Sequence, residues 1–234
     1  VKNSNLILSQ PFSVSGSVAG AGGDELSFQN KMGLLDIANA GVNSRLEPLL
    51  AQLTGLHKHL CPRQVLGVRM GMYAAECFPL ELPQNNKRLL TFVETDGCFA
   101  DGVGVATGCS MGHRTMRLVD HGKIAATFVD TQVGKALRCW PSPDVRLRAA
   151  ALVPGAVNRW QAQLEAYQRM PSEELFLLRE VTITFDLAAL IGKPGKRTNC
   201  SACGEEIINQ REVVRNGQPI CRGCAGESYW NLKQ

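Results

Sequence analysis

The sequence predicts an α+β fold, a mixed core domain followed by a small C-terminal domain organised around cysteines. Three observations predict it. Segments with helical spacing and segments with strand alternation are interspersed without a regular βαβ rhythm. The apolar periodicity stops at a basic, Gly/Pro-rich stretch, Gly192-Lys193-Pro194-Gly195-Lys196-Arg197. Beyond that stretch stand four cysteines in two CxxC pairs. The 234 residues, 44% hydrophobic and 20% charged, have an ordinary globular composition. The longest apolar candidate, Ala149 to Val153, stops at Pro154, far short of the ~20 residues that span a bilayer.

Residues 1–30 are rich in Ser, Gly, Asn and Ala and read as a loose lead-in with little to bury. Leu46, Leu49, Leu50 and Leu53 have the spacing of an amphipathic helix. Gln64 to Phe78 reads as a longer helix opened by Pro62, whose missing N–H costs nothing in the first turn. Gly67 and Gly71 give that helix a smooth face for close packing. Leu89–Glu94, Met116–Val119 and Lys123–Asp130 read as strands, rich in β-branched and aromatic residues between turn formers. Helices are expected near Asp144–Leu152, Val157–Met170 and Ser172–Leu178. Glu180–Phe185 alternates as a half-buried strand does. The expected organisation is a lead-in over 1–30, an α+β core over 31–190, a linker over 191–198 and a small domain over 199–234.

The net charge of +4 is too mild to name a polyanionic partner. Up to Leu190 the chain carries 18 basic and 17 acidic residues, and the last 44 carry 7 and 4. The excess therefore sits in the C-terminal part. Nine cysteines, an odd number partly arranged as CxxC, suit metal ligation in a reducing compartment better than a disulfide framework. No basic stretch followed by an apolar one reads as a signal peptide. The expected location is the cytoplasm.

Cys200-Ser-Ala-Cys203-Gly204 and Cys221-Arg-Gly-Cys224 are two knuckles seventeen residues apart. Their four thiolates make a closed S₄ set suited to structural Zn²⁺; iron of the rubredoxin type is the competing ion. Asn216-Gly217, between Val213-Val214 and Pro219-Ile220, signals a hairpin that brings the second knuckle back to the first. A domain this small needs such a staple.

The core holds a second cluster. In His57-Lys58-His59-Leu60-Cys61-Pro62, residues 57, 59 and 61 project to one side if the segment is extended. Cys61 falls at the N-cap of the helix that Pro62 opens, where the dipole favours a thiolate. Asp96-Gly97-Cys98-Phe99-Ala100-Asp101 runs off a strand end, with Cys98 and Asp101 on one face of any helix that follows. Cys109 sits in a Gly-rich turn; a continuous helix over 98–109 would hold it roughly 16 Å from Cys98, which leaves it a minor candidate ligand. Cys77, Cys139 and His121 read as bystanders. The bland alternative is a satisfied loop and an inert thiol.

His57-x-His59-x-Cys61-Pro62 with Gly67-x-Arg69, Asp96-x-Cys98-x-x-Asp101, Thr107-Gly108-Cys109-Ser110-x-Gly112, Gly122-Lys123-x-Ala125 leading to Arg138, and the terminal CxxC pairs together resemble the FmdE family, the E component of molybdenum/tungsten formylmethanofuran dehydrogenase. The resemblance covers roughly 50–140 and 198–226. It implies an α+β core with a His/Cys site in a cleft, a zinc-ribbon-like or treble-clef-like tail, and a homodimer. It also raises association with a molybdenum/tungsten enzyme complex, although FmdE does not carry the pterin-bound metal. Lys58, Arg63 and His113 stand where the family usually has Gly, Gly and Lys. The two added charges point to an anionic small molecule.

The resulting expectation is a metal-binding accessory protein or metal-dependent enzyme of anaerobic one-carbon or metallocofactor metabolism. His59, Cys61 and Cys98 would hold a second transition metal, with His57, Asp101 and Lys123 as supporting or substrate-binding groups beside Cys61. The alternative from another class is a zinc-ribbon nucleic-acid or regulatory module in which Arg211, Arg215 and Arg222 meet phosphate. A third reading is thiol redox chemistry at Cys61 without metal.

Overall fold

The computed structural model describes residues 44–191, 195–231 and 233. The lead-in expected over 1–30 lies outside these residues. The described residues belong to one compact unit.

Helix α1 covers 44–56 and buries Leu46, Leu50 and Leu53, as the leucine spacing predicts. Helix α2, Pro62–Cys77, has Cys61 at its N-cap and Pro at N1. Strand β1, Leu89–Val93, leads into α3, Cys98–Thr107. Next come β2 (Met116–Leu118), β3 (Ala126–Asp130), β4 (Ala136–Pro141), α4 (Val145–Leu152), α5 (Arg159–Arg169), the single turn α6 (Ser172–Leu175) and β5 (Phe176–Glu180). These strands form one five-stranded sheet of order β2-β1-β3-β4-β5. Only the β1–β2 pair is parallel.

Both faces of this sheet are covered. On the first, Val93, Phe128 and Cys139 pack with the residues of α1, α2 and α3 in the main core. On the second, Leu90, Phe92, Val129 and Ala136 form a smaller cluster under Val181, Ile183, Leu187 and Leu190. The chain after β5 makes this cover. Here the structure corrects the expected elements. The helix expected over Ser172–Leu178 ends at Leu175, because Phe176 is already paired with Pro141 in the sheet. The strand expected over Glu180–Phe185 is β5 displaced toward the N-terminus. Residues 181–185 leave the ladder, and their alternation lays Val181 and Ile183 onto the second face. Helix α7, Leu187–Ile191, follows.

Helices α2 and α3 cross at glycines. A Cβ on Gly67 would run into the Phe99 carbonyl, and one on Gly102 into the Gln64 carbonyl. Gly71 faces Ala106 and Thr107. The smooth face expected on α2 is thus used inside the chain. It lends no support to a homodimer, which rests on the family resemblance alone.

Arg69 ties α2 to the end of α5. It is 1% exposed and donates from Nη1 to Tyr167 O (2.8 Å) and from Nη2 to Met170 O (2.6 Å). Burial pushes its pKa down to about 10, but those carbonyls at a helix C-terminus favour a cation. Arg69→Met keeps the bulk and strands both carbonyls. It should lower stability by about 2–4 kcal/mol, read as a lower urea midpoint with an unchanged slope; an unshifted midpoint contradicts this role.

The C-terminal part consists of two hairpins, β6–β7 (Arg197–Asn199 with Glu206–Ile208) and β8–β9 (Val213–Arg215 with Gln218–Ile220). Asn216 (φ 49°) and Gly217 (φ 74°) make the β8–β9 turn, the left-handed pair that Asn-Gly predicts. Since β6 starts at Arg197, the end of the expected linker belongs to the first hairpin.

Candidate metal centre

The clearest site is at the C-terminus. Cys200 and Cys203 occupy the β6–β7 turn, and Cys221 and Cys224 follow β9 into a short helical turn, Gly223–Glu227. This order of knuckle, hairpin and helical turn is treble-clef-like. The four sulfurs lie within 4.8 Å of one another, and Cys203 Sγ is 3.9 Å from Cys221 Sγ. Zn–S bonds of about 2.3 Å in a tetrahedron set sulfurs roughly 3.8 Å apart, so the residues fit the ion. Backbone N–H groups support the sulfurs: Cys221 N donates to Cys200 Sγ (3.2 Å) and Cys224 N to Cys221 Sγ (3.3 Å). The N–H groups of Cys221 and Cys203 push the Cys200 thiol down to about 6, whereas the Cys221 and Cys203 thiols push Cys224 up to about 12. Four sulfurs this close cannot all ionise unless a cation joins them.

In the core, the crossing of α2 and α3 sets Cys61 beside Cys98. Cys61 N donates to Gln64 Oε1 at 2.7 Å, fixing the N-cap. Cys98 opens α3, near enough to Cys61 for each thiol to act on the other's charge. Burial first, then the Cys61 thiol, pushes the Cys98 pKa up. At Cys98 burial therefore outweighs the pull of the α3 dipole toward the thiolate. One turn on, Asp101 Oδ2 lies 2.9 Å from His57 Nε2. The imidazole that the core fixes is thus His57. His59 is exposed, and it does not join Cys61 and Cys98 in a set as tight as the C-terminal one, which is the metal-ligating group found among the described residues. Gln64 is fully buried, and its Nε2 has no acceptor among the described residues. Cys109 lies beyond the far end of α3 and donates to Leu89 O at 3.5 Å, apart from the Cys61–Cys98 pair. Cys77 is half-buried, and Cys139 is in the core with its thiol pushed well up by burial.

Lys123 is not gathered with the cysteines. It lines a cavity on the second sheet face with Glu94, Arg138 and His121. Glu94 and its ion pair escape a reading of the sequence: Glu94 ends a strand-like apolar run, and its partner is 44 residues away. Period-two alternation through Leu90 and Phe92 is the available signal, since it puts Glu94 on their face. His121, read as a bystander, has Nδ1 3.5 Å from Glu94 Oε2. Of the arginines expected to meet phosphate in the nucleic-acid reading, Arg215 bonds the Ala225 carbonyl and Arg222 pairs with Glu227 at 3.4 Å. Arg211 stands near Arg117, whose pKa is pushed down by burial and then by Arg114 and Arg211.

Known proteins share this chain's motifs and fold. Residues 56–177, just over half of the chain, match the family described as FmdE, molybdenum formylmethanofuran dehydrogenase operon. A probable S-adenosyl-L-methionine-binding protein of Archaeoglobus fulgidus is 29% identical over 221 residues, covering 85% of this chain. The chain spans 58% of that relative's length. The crystal structure of a tungsten formylmethanofuran dehydrogenase FmdE-like protein from Syntrophus aciditrophicus superposes with a TM-score of 0.54 at 21% identity. The match covers 80% of this chain and 95% of that one, and it shows a shared fold. No described helix is long and apolar enough to cross a membrane.

Proposed function

Because the chain belongs to the FmdE family, we propose that it is a two-centre metal protein, an accessory protein or metal-dependent enzyme of anaerobic one-carbon or metallocofactor metabolism. The C-terminal centre holds structural Zn²⁺ through Cys200, Cys203, Cys221 and Cys224. The core centre holds a second transition metal through Cys61 and Cys98. The placement of Cys61 at the head of α2 and Cys98 at the head of α3, two helices packed against each other at Gly67 and Gly102, carries this reading. Two thiolates suit a borderline or soft ion. A swing of the exposed His59 loop would add an imidazole, and Asp101 orients His57 beside it. Such an ion would supply Lewis-acid chemistry, while Lys58 and Arg63 at the approach favour an anionic partner. The cytoplasm, a homodimer and association with a molybdenum or tungsten enzyme complex belong to the same proposal.

Metal analysis of protein purified without oxygen tests it. Two metal equivalents per chain are expected, and Cys61→Ser should lose one while keeping the C-terminal zinc. A Cys61→Ser protein that retains both, or a parent with only one, overturns the core centre.

A second reading is favoured by the description of the archaeal relative, namely that this chain binds S-adenosyl-L-methionine. Calorimetric titration with that compound separates the two readings.

A further inference from the structure

The second face of the sheet carries a cavity that neither metal centre uses. Its volume of about 430 Å³ is in the range of small-molecule sites. Phe92 and Thr127, paired in register across β1 and β3, form its floor. Val181, Ile183 and Phe185 of the segment after β5 form the apolar wall. The Phe185 ring stacks on Phe92 with centroids 5.6 Å apart, yet Phe185 remains 50% exposed. The wall is therefore apolar, and half of the Phe185 surface stays free for a ligand to cover.

The polar end is unbalanced. Glu94 has only 9% of its side chain exposed. Arg138 donates to it twice, from Nε to Oε1 (2.6 Å) and from Nη2 to Oε2 (2.7 Å), and Trp140 covers the guanidinium at 5.0 Å. This fork fixes the position of Arg138 and neutralises its charge. It leaves Nη1 of Arg138, the Lys123 ammonium, Nε2 of His121 and the Thr127 hydroxyl without partners among the described residues. The one carboxylate of the lining is already matched, so Lys123 is a surplus cation. Register adds Arg117 beside Phe92 and Arg179 beside Arg138 on the same face. An apolar slot closed at one end by donors and net positive charge is complementary to a single class of small molecule.

We propose that this cavity binds an organic anion, a carboxylate or phosphate group carried on a flat apolar body. The anionic group meets Lys123, Thr127 and the free edge of Arg138, and the body lies along Phe92 and Phe185. Glu94 is a positioning residue that holds Arg138 in place. The site is independent of both metals.

The test is calorimetric titration of the full chain with 2-naphthoate and with its neutral isostere 2-naphthamide. At about 20 mM ionic strength, where screening is weak, naphthoate should bind about tenfold tighter, the worth of one charge-assisted contact. Lys123→Met should remove most of that difference and leave naphthamide unchanged. Phe185→Ser, at a half-exposed position, should weaken both ligands and leave metal content unaltered, which separates this site from the core centre. Equal affinity for the two compounds, no binding of either at about 5 mM, or binding that neither substitution changes overturns the proposal.

Discussion

Replacing Cys203 with Ser should release the C-terminal ion and unfold the segment it holds, while the five-stranded core stays intact. The reason is the poverty of apolar burial there. Of the described residues in 195–233, only Cys200 and Ile207 are buried, and all four strands are three residues long. Such hairpins do not stand alone in water, so the binding free energy of the ion is the folding free energy of the segment. For structural zinc that is on the order of 10 kcal/mol, and removing one ligand of four forfeits most of it. Limited proteolysis of Cys203→Ser should cut within 195–231 and stop at the core. The metal content should fall by one zinc. A variant that keeps both its zinc and its resistance to protease would falsify the assignment.

The same contrast explains what the sequence discloses. Elements with one wet face are legible, as the leucines of α1 are, and β1 and β3, buried throughout, are legible by their β-branched and aromatic residues. Strand β4 is not visible there, because Ala136 is buried on the second face and Leu137 and Cys139 on the first. Covered on both sides it has no alternation to read, and unlike β1 and β3 it has no β-branched residue to mark it. In α3, Gly102 and Gly104 count against a helix on propensity, yet Gly102 is required for the contact with α2. Tertiary packing overrides the local preference there. The four cysteines of the C-terminal cluster are legible because each knuckle is local and its spacing is the chemistry. The core pairings are not, since His57 and Asp101 are 44 residues apart and only the crossing of two helices joins them. The Asp101 carboxylate holds His57, while the imidazole expected as a ligand, His59, lies exposed.

That crossing makes Gly67→Ala the other substitution with a large effect. Its Cβ would strike the Phe99 carbonyl, with Val103 N at 2.9 Å and Gly102 Cα at 3.0 Å. These are backbone atoms of a packed helix, and no rotamer change relieves them. The helices must part, at a cost of about 3 kcal/mol from overpacking. Gly102→Ala should behave alike, because its Cβ meets the Gln64 carbonyl and Gly67 Cα from the other side. Gly55 is the control: it lies in α1, nothing stands within 4 Å of an added Cβ, and Gly55→Ala should stabilise the helix by about 0.5–1 kcal/mol. The consequence reaches the core centre. Cys61 caps α2 about one and a half turns before Gly67, and Cys98 begins α3 about one turn before Gly102, so the two residues stay neighbours only while the helices stay in contact. Gly67→Ala protein should therefore show a lower urea midpoint together with selective loss of the core metal, its C-terminal zinc retained. A destabilised Gly67→Ala protein that still binds the core ion would mean that the thiol pair does not depend on the crossing, and the ligands of that ion would then lie elsewhere.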